Sequence, residues 1–309
     1  MSTPEPGAAS AVEIDVRDLV MSYGATRAVD GVSFTVRRGE FFGLLGPNGA
    51  GKTTTLEMIE GLRRPRSGSV SIGGVDPWSR DPALLHRIGV QLQASSFFER
   101  LTAREQVETF GALYGVAAGR TDELLELVGL SDKAGDRTED LSGGQKQRLS
   151  IACALVHDPE VVFLDEPTAA LDPQARRNLW DLLRAINADG RTVVLTTHYM
   201  DEAEALCDRV AIMDGGRVLR LDTPAALVRG LEAPVRISVA PGALDRADAQ
   251  GLVGVDEVDE DAGGLTLTTR RPAEVLTALA ARDALEGLSV RGATLEDVFL
   301  HLTGREYRA

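Results

Sequence analysis

Lysine is nearly missing from this chain: of its 33 basic residues only Lys52, Lys133 and Lys146 are not arginine. Ammonium and guanidinium are not interchangeable, so a lysine kept against that background answers a local need. Two of the three, Lys52 and Lys146, fall inside motifs described below. A basic excess is missing as well. Lys+Arg 33 against Asp+Glu 47 leaves a net charge of −14, which argues against a general nucleic-acid binder, since those present a basic face. Docking on a membrane protein stays open. Long apolar runs are absent: the longest are short, such as residues 161–164 and 193–195, against the roughly 18 or more of a spanning helix. Cysteine is scarce. Cys153 and Cys207 are far apart, each in a helix-like apolar setting, and read as buried reduced thiols rather than a disulfide or metal site. The first ten residues are small, polar and proline-containing, with no apolar segment behind a basic start. They are expected to be a loose tail and not a signal peptide.

What remains is ordinary for a folded protein, 43% hydrophobic and 26% charged over 309 residues, enough for one large domain and a small one. From about residue 12 to 221, β-like runs alternate with helix-like stretches. Residues 32–36 and 41–45 lean to strand, and the second runs straight into Gly46. A helix is expected from Lys52 to about Glu60, ended by Gly61 and Pro65. Strands are expected at 69–73 and 88–93, helices through 102–158, and two continuously apolar, buried strands at 161–164 and 192–196. Between those two, residues 173–188 form a helix with Asp172 as N-cap and Pro173 at its first position. The rhythm is α/β with a mostly parallel sheet and a helical insertion at about 95–158. After Pro224 the texture changes. Strands at 235–239 and 265–269, a helix at 272–282 and a closing helix behind Thr294 suggest a small α+β domain over 232–309. There Leu295, Val298, Phe299 and Leu302 keep helical spacing. The acidic stretch 256–264 is expected to be a solvated loop.

Gly46-Pro47-Asn48-Gly49-Ala50-Gly51-Lys52-Thr53, with Thr54 behind it, fits G-x-x-x-x-G-K-[ST] between a β-run and a helix. Glycines let the backbone wrap so that successive N–H groups point at phosphate oxygens, and the helix adds its positive end. Lys52 can reach the β- and γ-phosphates, and the Thr53 hydroxyl can ligate Mg²⁺. Downstream, Val161-Val162-Phe163-Leu164 ends in Asp165-Glu166. A phosphate loop needs a carboxylate on a neighbouring strand tip to hold Mg²⁺, a part that suits Asp165. Glu166 then extends towards the γ-phosphate, where it can polarise water.

Leu141-Ser142-Gly143-Gly144-Gln145, continued by Lys146-Gln147-Arg148-Leu149, reads by itself as a serine N-cap and two glycines opening a helix, a turn suited to an anion. It is similar to the signature of ABC transporter ATP-binding subunits, and the resemblance covers about residues 12–230. It implies a P-loop NTPase core of ABC ATPase type with an antiparallel β subdomain and a helical insertion, and the cofactors ATP and Mg²⁺. It further implies a head-to-tail pair of subunits, each ATP completed by Ser142, Gly143, Gly144 and Gln145 of the opposite copy. Other elements follow in family order. Tyr23 stands where an aromatic stacks on adenine. Gln93 matches the glutamine that senses Mg²⁺ and the lytic water, with Gln91 its rival by composition. Asp172, in Ala170-Leu171-Asp172, works across the pair as well as capping its helix. His198 matches the switch histidine on the γ-phosphate.

The resemblance also implies an integral membrane permease as partner, a peripheral place on the cytoplasmic face of the membrane, and Phe97, Phe98 and Leu101 as candidate docking contacts. Residues 294–304 look like the tail of ATPases that serve ABC-2 type exporters, the drug-resistance group among them. Two other readings stay open: a soluble ABC-type ATPase acting on ribosomes or nucleic acid, disfavoured by the acidic balance and by a single ATP site, and an importer ATPase, since direction rests largely with the membrane partner. The cargo is not legible.

Overall fold

The computed structural model describes residues 12–91, 97–116 and 119–304. The chain begins as two long antiparallel strands, β1 (Val12–Tyr23) and β2 (Thr26–Arg37), followed by β3 (Phe41–Leu45), α1 (Lys52–Ile59), β4 (Ser67–Ile72), the short α2 (Pro82–Leu85) and β5 (Ile88–Val90). Three helices come next, α3 (Ala103–Leu113), α4 (Arg120–Leu127) and α5 (Gly143–Leu155). Then β6 (Val161–Asp165), α6 (Pro173–Ala188), β7 (Thr192–Thr197), α7 (Met200–Leu206), β8 (Arg209–Asp214) and β9 (Arg217–Asp222) finish this part of the chain.

These elements form two sheets. The larger has the order β5-β6-β7-β3-β8-β9, parallel except for the antiparallel β9; the smaller is antiparallel with β1 between β2 and β4. Every residue of β3 and all but the last of β6 are buried, as expected of parallel strands covered on both faces, whose sequences cannot alternate. Strands β1 and β2 alternate over much of their length, burying Ile14 and Val16 of the first and Val32, Phe34 and Val36 of the second. One core joins the sheets: Ile14, Val16 and Val36 of the small sheet cluster with Phe42, Phe163 and Val194 of the large one, and with Leu56 and Ile59 of α1. Phe34 and Phe42 stack across that seam, centroids 5.0 Å apart. Helix starts follow from capping chemistry. The Asp172 carboxylate accepts the N–H groups of Gln174 and Ala175, both at 2.9 Å, with Pro173 behind it. Ser142 and Gln145 form a capping box on α5, and Thr102 and Glu105 one on α3. The expected strand 88–93 ends at Val90. Cys153 and Cys207 are both buried and unpaired.

The chain divides after Pro224 into two compact units. The second contains α8 (Pro224–Gly230), β10 (Val235–Val239), α9 (Arg246–Gln250), β11 (Glu257–Asp261), β12 (Gly264–Thr269), α10 (Pro272–Ala280), β13 (Ser289–Arg291) and α11 (Leu295–Thr303). Its antiparallel sheet runs β11-β12-β10-β13, over a core of Ile237, Val258, Leu267, Val275 and Leu279. Here the structure corrects the sequence reading: most of the acidic stretch expected to be a loop is strand β11. Val258 alone turns inward, while Glu257, Asp259, Glu260 and Asp261 stay exposed. Edge strands tolerate, and are protected by, such charges. Thr294 caps α11 through a capping box with Asp297.

Helix α1 ends on a buried acid. Glu60, 8% exposed, lines a cavity of about 230 Å³ together with Ile88, Val90, Phe110 and Tyr114. Burial, reinforced by Asp165 and then Glu57, pushes its carboxyl up to about 8 from 4.5. The folded chain therefore holds more protons than the unfolded one between those values, so this group takes away stability as pH rises through the window. Glu60→Gln, an isostere of the protonated form, is expected to raise the thermal midpoint more at about pH 8 than at about pH 5. Thermal denaturation at both pH values checks this; an equal gain at both would remove the assignment.

Candidate nucleotide site

The loop between β3 and α1 is shaped by glycine at both ends. A Cβ on Gly46 would lie 2.2 Å from the Met213 carbonyl oxygen, and one on Gly51, whose φ is +96°, 2.3 Å from that of Ala28. Neither neighbour is a flexible side chain, so only glycine lets the loop press this closely on its surroundings. Within the loop the Ala50 N–H donates to the Pro47 carbonyl at 3.1 Å. Lys52 opens α1 with its side chain only 4% exposed. Its ammonium donates to the carbonyls of Gly46 (2.8 Å) and Pro47 (3.1 Å) and stands 3.3 Å from Glu166 Oε1. Burial lowers the Lys52 pKa, while Glu166 and then Asp165 pull it back up.

Parallel pairing brings the acids to the loop. Asp165, the last residue of β6, is the register partner of Thr196 on β7. Its Oδ1 accepts hydrogen bonds from the hydroxyls of Thr53, at 3.0 Å, and Thr196. The Thr196 hydroxyl also accepts the Glu166 N–H at 3.0 Å. That bond helps hold Glu166 at φ +46°, a left-handed conformation that a non-glycine residue adopts at some cost. From there Glu166 Oε2 lies 3.1 Å from His198 Nδ1. Lys52, Glu166 and His198 thus form a row beside the Thr53–Asp165 pair. The loop offers a helix N-terminus and a buried ammonium to an anion. The hydroxyl–carboxylate pair suits a divalent cation that keeps waters and takes its other ligands from phosphate; no group of three or more His, Cys, Asp or Glu among the described residues could hold a metal alone.

A second pocket, of about 320 Å³, opens where α5 and α6 begin. Ser142, Gly143, Gly144, Gln145, Leu171 and Asp172 line it, and none of the residues 46–54 does. Gln145 folds back, its Oε1 accepting the Ser142 N–H at 2.8 Å. The residues expected to act on one nucleotide therefore lie in two groups. Tyr23, at the end of β1, is 45% exposed, and the Arg63 guanidinium carbon lies 5.3 Å from its ring centroid. Gln93 lies outside the described residues. Its rival Gln91 is buried, its N–H donating to the Phe163 carbonyl at 3.0 Å.

Residues 29–169 match a family model described as ABC transporter. The chain is 41% identical over 300 residues to the Nod factor export ATP-binding protein I of Burkholderia lata (strain ATCC 17760 / DSM 23089 / LMG 22485 / NCIMB 9086 / R18194 / 383), spanning 95% of this chain and 97% of that protein. It is 40% identical over 314 residues to the protein of the same name from Rhizobium meliloti (strain 1021), spanning 100% and 93%. The chain belongs to the ABC transporter family. It does so as an ATP-binding subunit, and solved structures agree. It is similar to an ATP-binding subunit of an ABC transporter, with a TM-score of 0.64 and 31% identity over 72% of this chain and 93% of that one. It is also similar to an ATP-binding cassette solved as a dimer in a post-hydrolysis state bound to ADP and Pi, with a TM-score of 0.62 and 31% identity over 68% and 98%.

One member of this ABC site escaped the sequence reading. Thr196 sits inside an apolar strand and belongs to no motif; its only signal is a hydroxyl at the tip of the strand beside the acid-tipped one. Thr196→Val keeps the shape but deprives Asp165 of a donor and the Glu166 N–H of a side-chain acceptor. It is expected to cost about 1–2 kcal/mol in denaturant unfolding and to slow ATP turnover. Wild-type stability and turnover together would show those bonds to be idle.

Proposed function

We propose that this protein binds MgATP and hydrolyses it between two paired ATP-binding subunits, and that closing and reopening the pair drives an ABC-type membrane exporter. The observation that carries the reading is the row Lys52–Glu166–His198, with gaps of 3.3 and 3.1 Å, set beside Thr53–Asp165. Bound there, MgATP supplies the phosphoryl group and a cation that offsets its charge. The backbone N–H groups at positions 48, 49 and 51–54 and the Lys52 ammonium hold the phosphates, and Thr53 and Asp165 hold the cation. Glu166 orients water and takes its proton; His198, whose Nδ1 lies 3.1 Å from the far carboxylate oxygen, contacts the γ-phosphate. The pocket of Ser142, Gly143, Gly144, Gln145 and Asp172 serves the nucleotide on a second copy. That division explains why it stands apart from the P-loop of its own chain. Gln93 and Tyr23 complete the assignment, as cation sensor and adenine platform.

The name of the Burkholderia and Rhizobium relatives speaks for those proteins and supports export here; a drug, lipid or other small hydrophobic molecule is the cargo class we assign. Among the described residues no helix is long and apolar enough to cross a membrane; in this reading a separate permease supplies the pore. The cavity beside Glu60 supports a docking surface for it at the cytoplasmic face: Leu62 and Leu85 on its lining are 65% and 42% exposed, and nearby Phe98 57%. In this reading residues 12–231 are the ATP-binding domain, with its helical subdomain at about 95–158, and 232–309 are accessory. Nucleic acid has no part, given the charge of −14.

Glu166→Gln is expected to keep nucleotide affinity, lose turnover and migrate as a dimer in saturating MgATP during gel filtration. Undiminished hydrolysis would remove Glu166 from its role, and a monomer under those conditions would end the paired-subunit picture. Lys52→Arg is expected to bind nucleotide about tenfold more weakly or worse in calorimetric titration, because a planar fork cannot take the place of a compact ammonium between two carbonyls.

A further inference from the structure

The segment that follows His198 is clasped to the helix that starts at Asp172. The Tyr199 ring has two close partners. The His198 imidazole lies with its centroid 4.1 Å away, tilted by 41°, and the Arg176 guanidinium carbon lies 4.2 Å from the ring centroid. Arg176 belongs to the first turn of α6, the helix that Asp172 caps, and its Nη1 also reaches Asp201 Oδ2 at 3.4 Å. One turn further on, Trp180 Nε1 donates to Glu202 Oε1 at 3.1 Å, and Glu202 is fully buried. Two α6 side chains, four residues apart and so on one face, thus grip the start of α7. The Tyr199 N–H donates to Thr197 Oγ1 at 2.9 Å, which fixes how the chain leaves β7.

We infer that Tyr199 and Arg176 are positioning residues for His198, carrying the setting of the Asp172 loop to the imidazole that faces Glu166. The inference rests on the ATPase reading given above. An imidazole on a short stem turns easily about two torsions. Here Glu166 Oε2 lies 3.1 Å from one edge of the ring and Tyr199 packs against it. A cation by the Tyr199 ring holds that ring in turn. The pocket of Ser142 and Asp172 touches the same helical turn through Ala175, the residue just before Arg176. A group seated in that pocket therefore bears on a helical turn that also contacts the Tyr199 ring.

The test is steady-state MgATP hydrolysis by the purified full-length chain and its Tyr199→Ala, Tyr199→Phe, Arg176→Gln and Arg176→Lys variants. It is paired with NMR of the imidazole protons, His198 being assigned by the signal lost in His198→Gln. Tyr199→Ala should lower kcat by about tenfold while KM stays within about twofold, since the group moved acts on turnover and not on nucleotide affinity. Tyr199→Phe keeps the aromatic face and should restore kcat; Arg176→Gln should fall between, with Arg176→Lys closer to wild type. The His198 signals should move in Tyr199→Ala and stay put in Tyr199→Phe. Wild-type kcat with unmoved His198 signals in Tyr199→Ala would overturn the inference, as would equal losses in the Ala and Phe variants. A wild-type chain that hydrolyses nothing, yet shows the His198 shift, would sink the ATPase reading and leave the positioning intact.

Discussion

The pairing of Asp165 with Thr196 at the tips of two adjacent parallel strands is the constraint on which the chemistry depends. Parallel strands end together, so side chains at their C-terminal tips share one edge of the sheet. In that arrangement β6 delivers an acid, β7 a hydroxyl and β3 the glycine loop. A shift of one residue in either register would turn Asp165 or Thr196 to the other face. The apolar runs preceding these tips prevent it, because each residue of β7 and nearly all of β6 is buried. Core packing and the geometry of the candidate site are therefore one specification, written twice in the same strands.

How much of this was legible depended on whether the information is local. The phosphate loop, the Asp165-Glu166 tip, the LSGGQ turn and the Asp172 cap are contiguous, and each needs only its own neighbours to take shape. They could be read directly. Thr196 could not, because its role comes from a strand more than thirty residues away in sequence. Glu60 looked like the end of a helix; its burial depends on what closes over α1. Strand β11 was hidden by composition: four acids in five residues suggest solvent, and only the sheet edge explains why solvent and strand coexist there.

The separation of the two pockets has a physical rationale within the ABC family. A turnover site complete in one chain would act whenever nucleotide arrived. In the proposed reading, splitting the phosphate-holding and phosphate-covering groups between chains makes chemistry conditional on association, and positioning is most of what phosphoryl transfer requires. The strained backbone of Glu166 fits this picture, since the residue is held by its neighbours more than by its own preference.

Strand β3 has β7 on one side and β8 on the other, so the glycine loop hangs from an interior strand of the sheet. Amides of such strands exchange with solvent only when the whole fold opens, whereas peripheral segments fray at small cost. Melting the loop's support would cost nearly the whole fold, so in the proposed cycle the release of spent nucleotide falls to the parts around it.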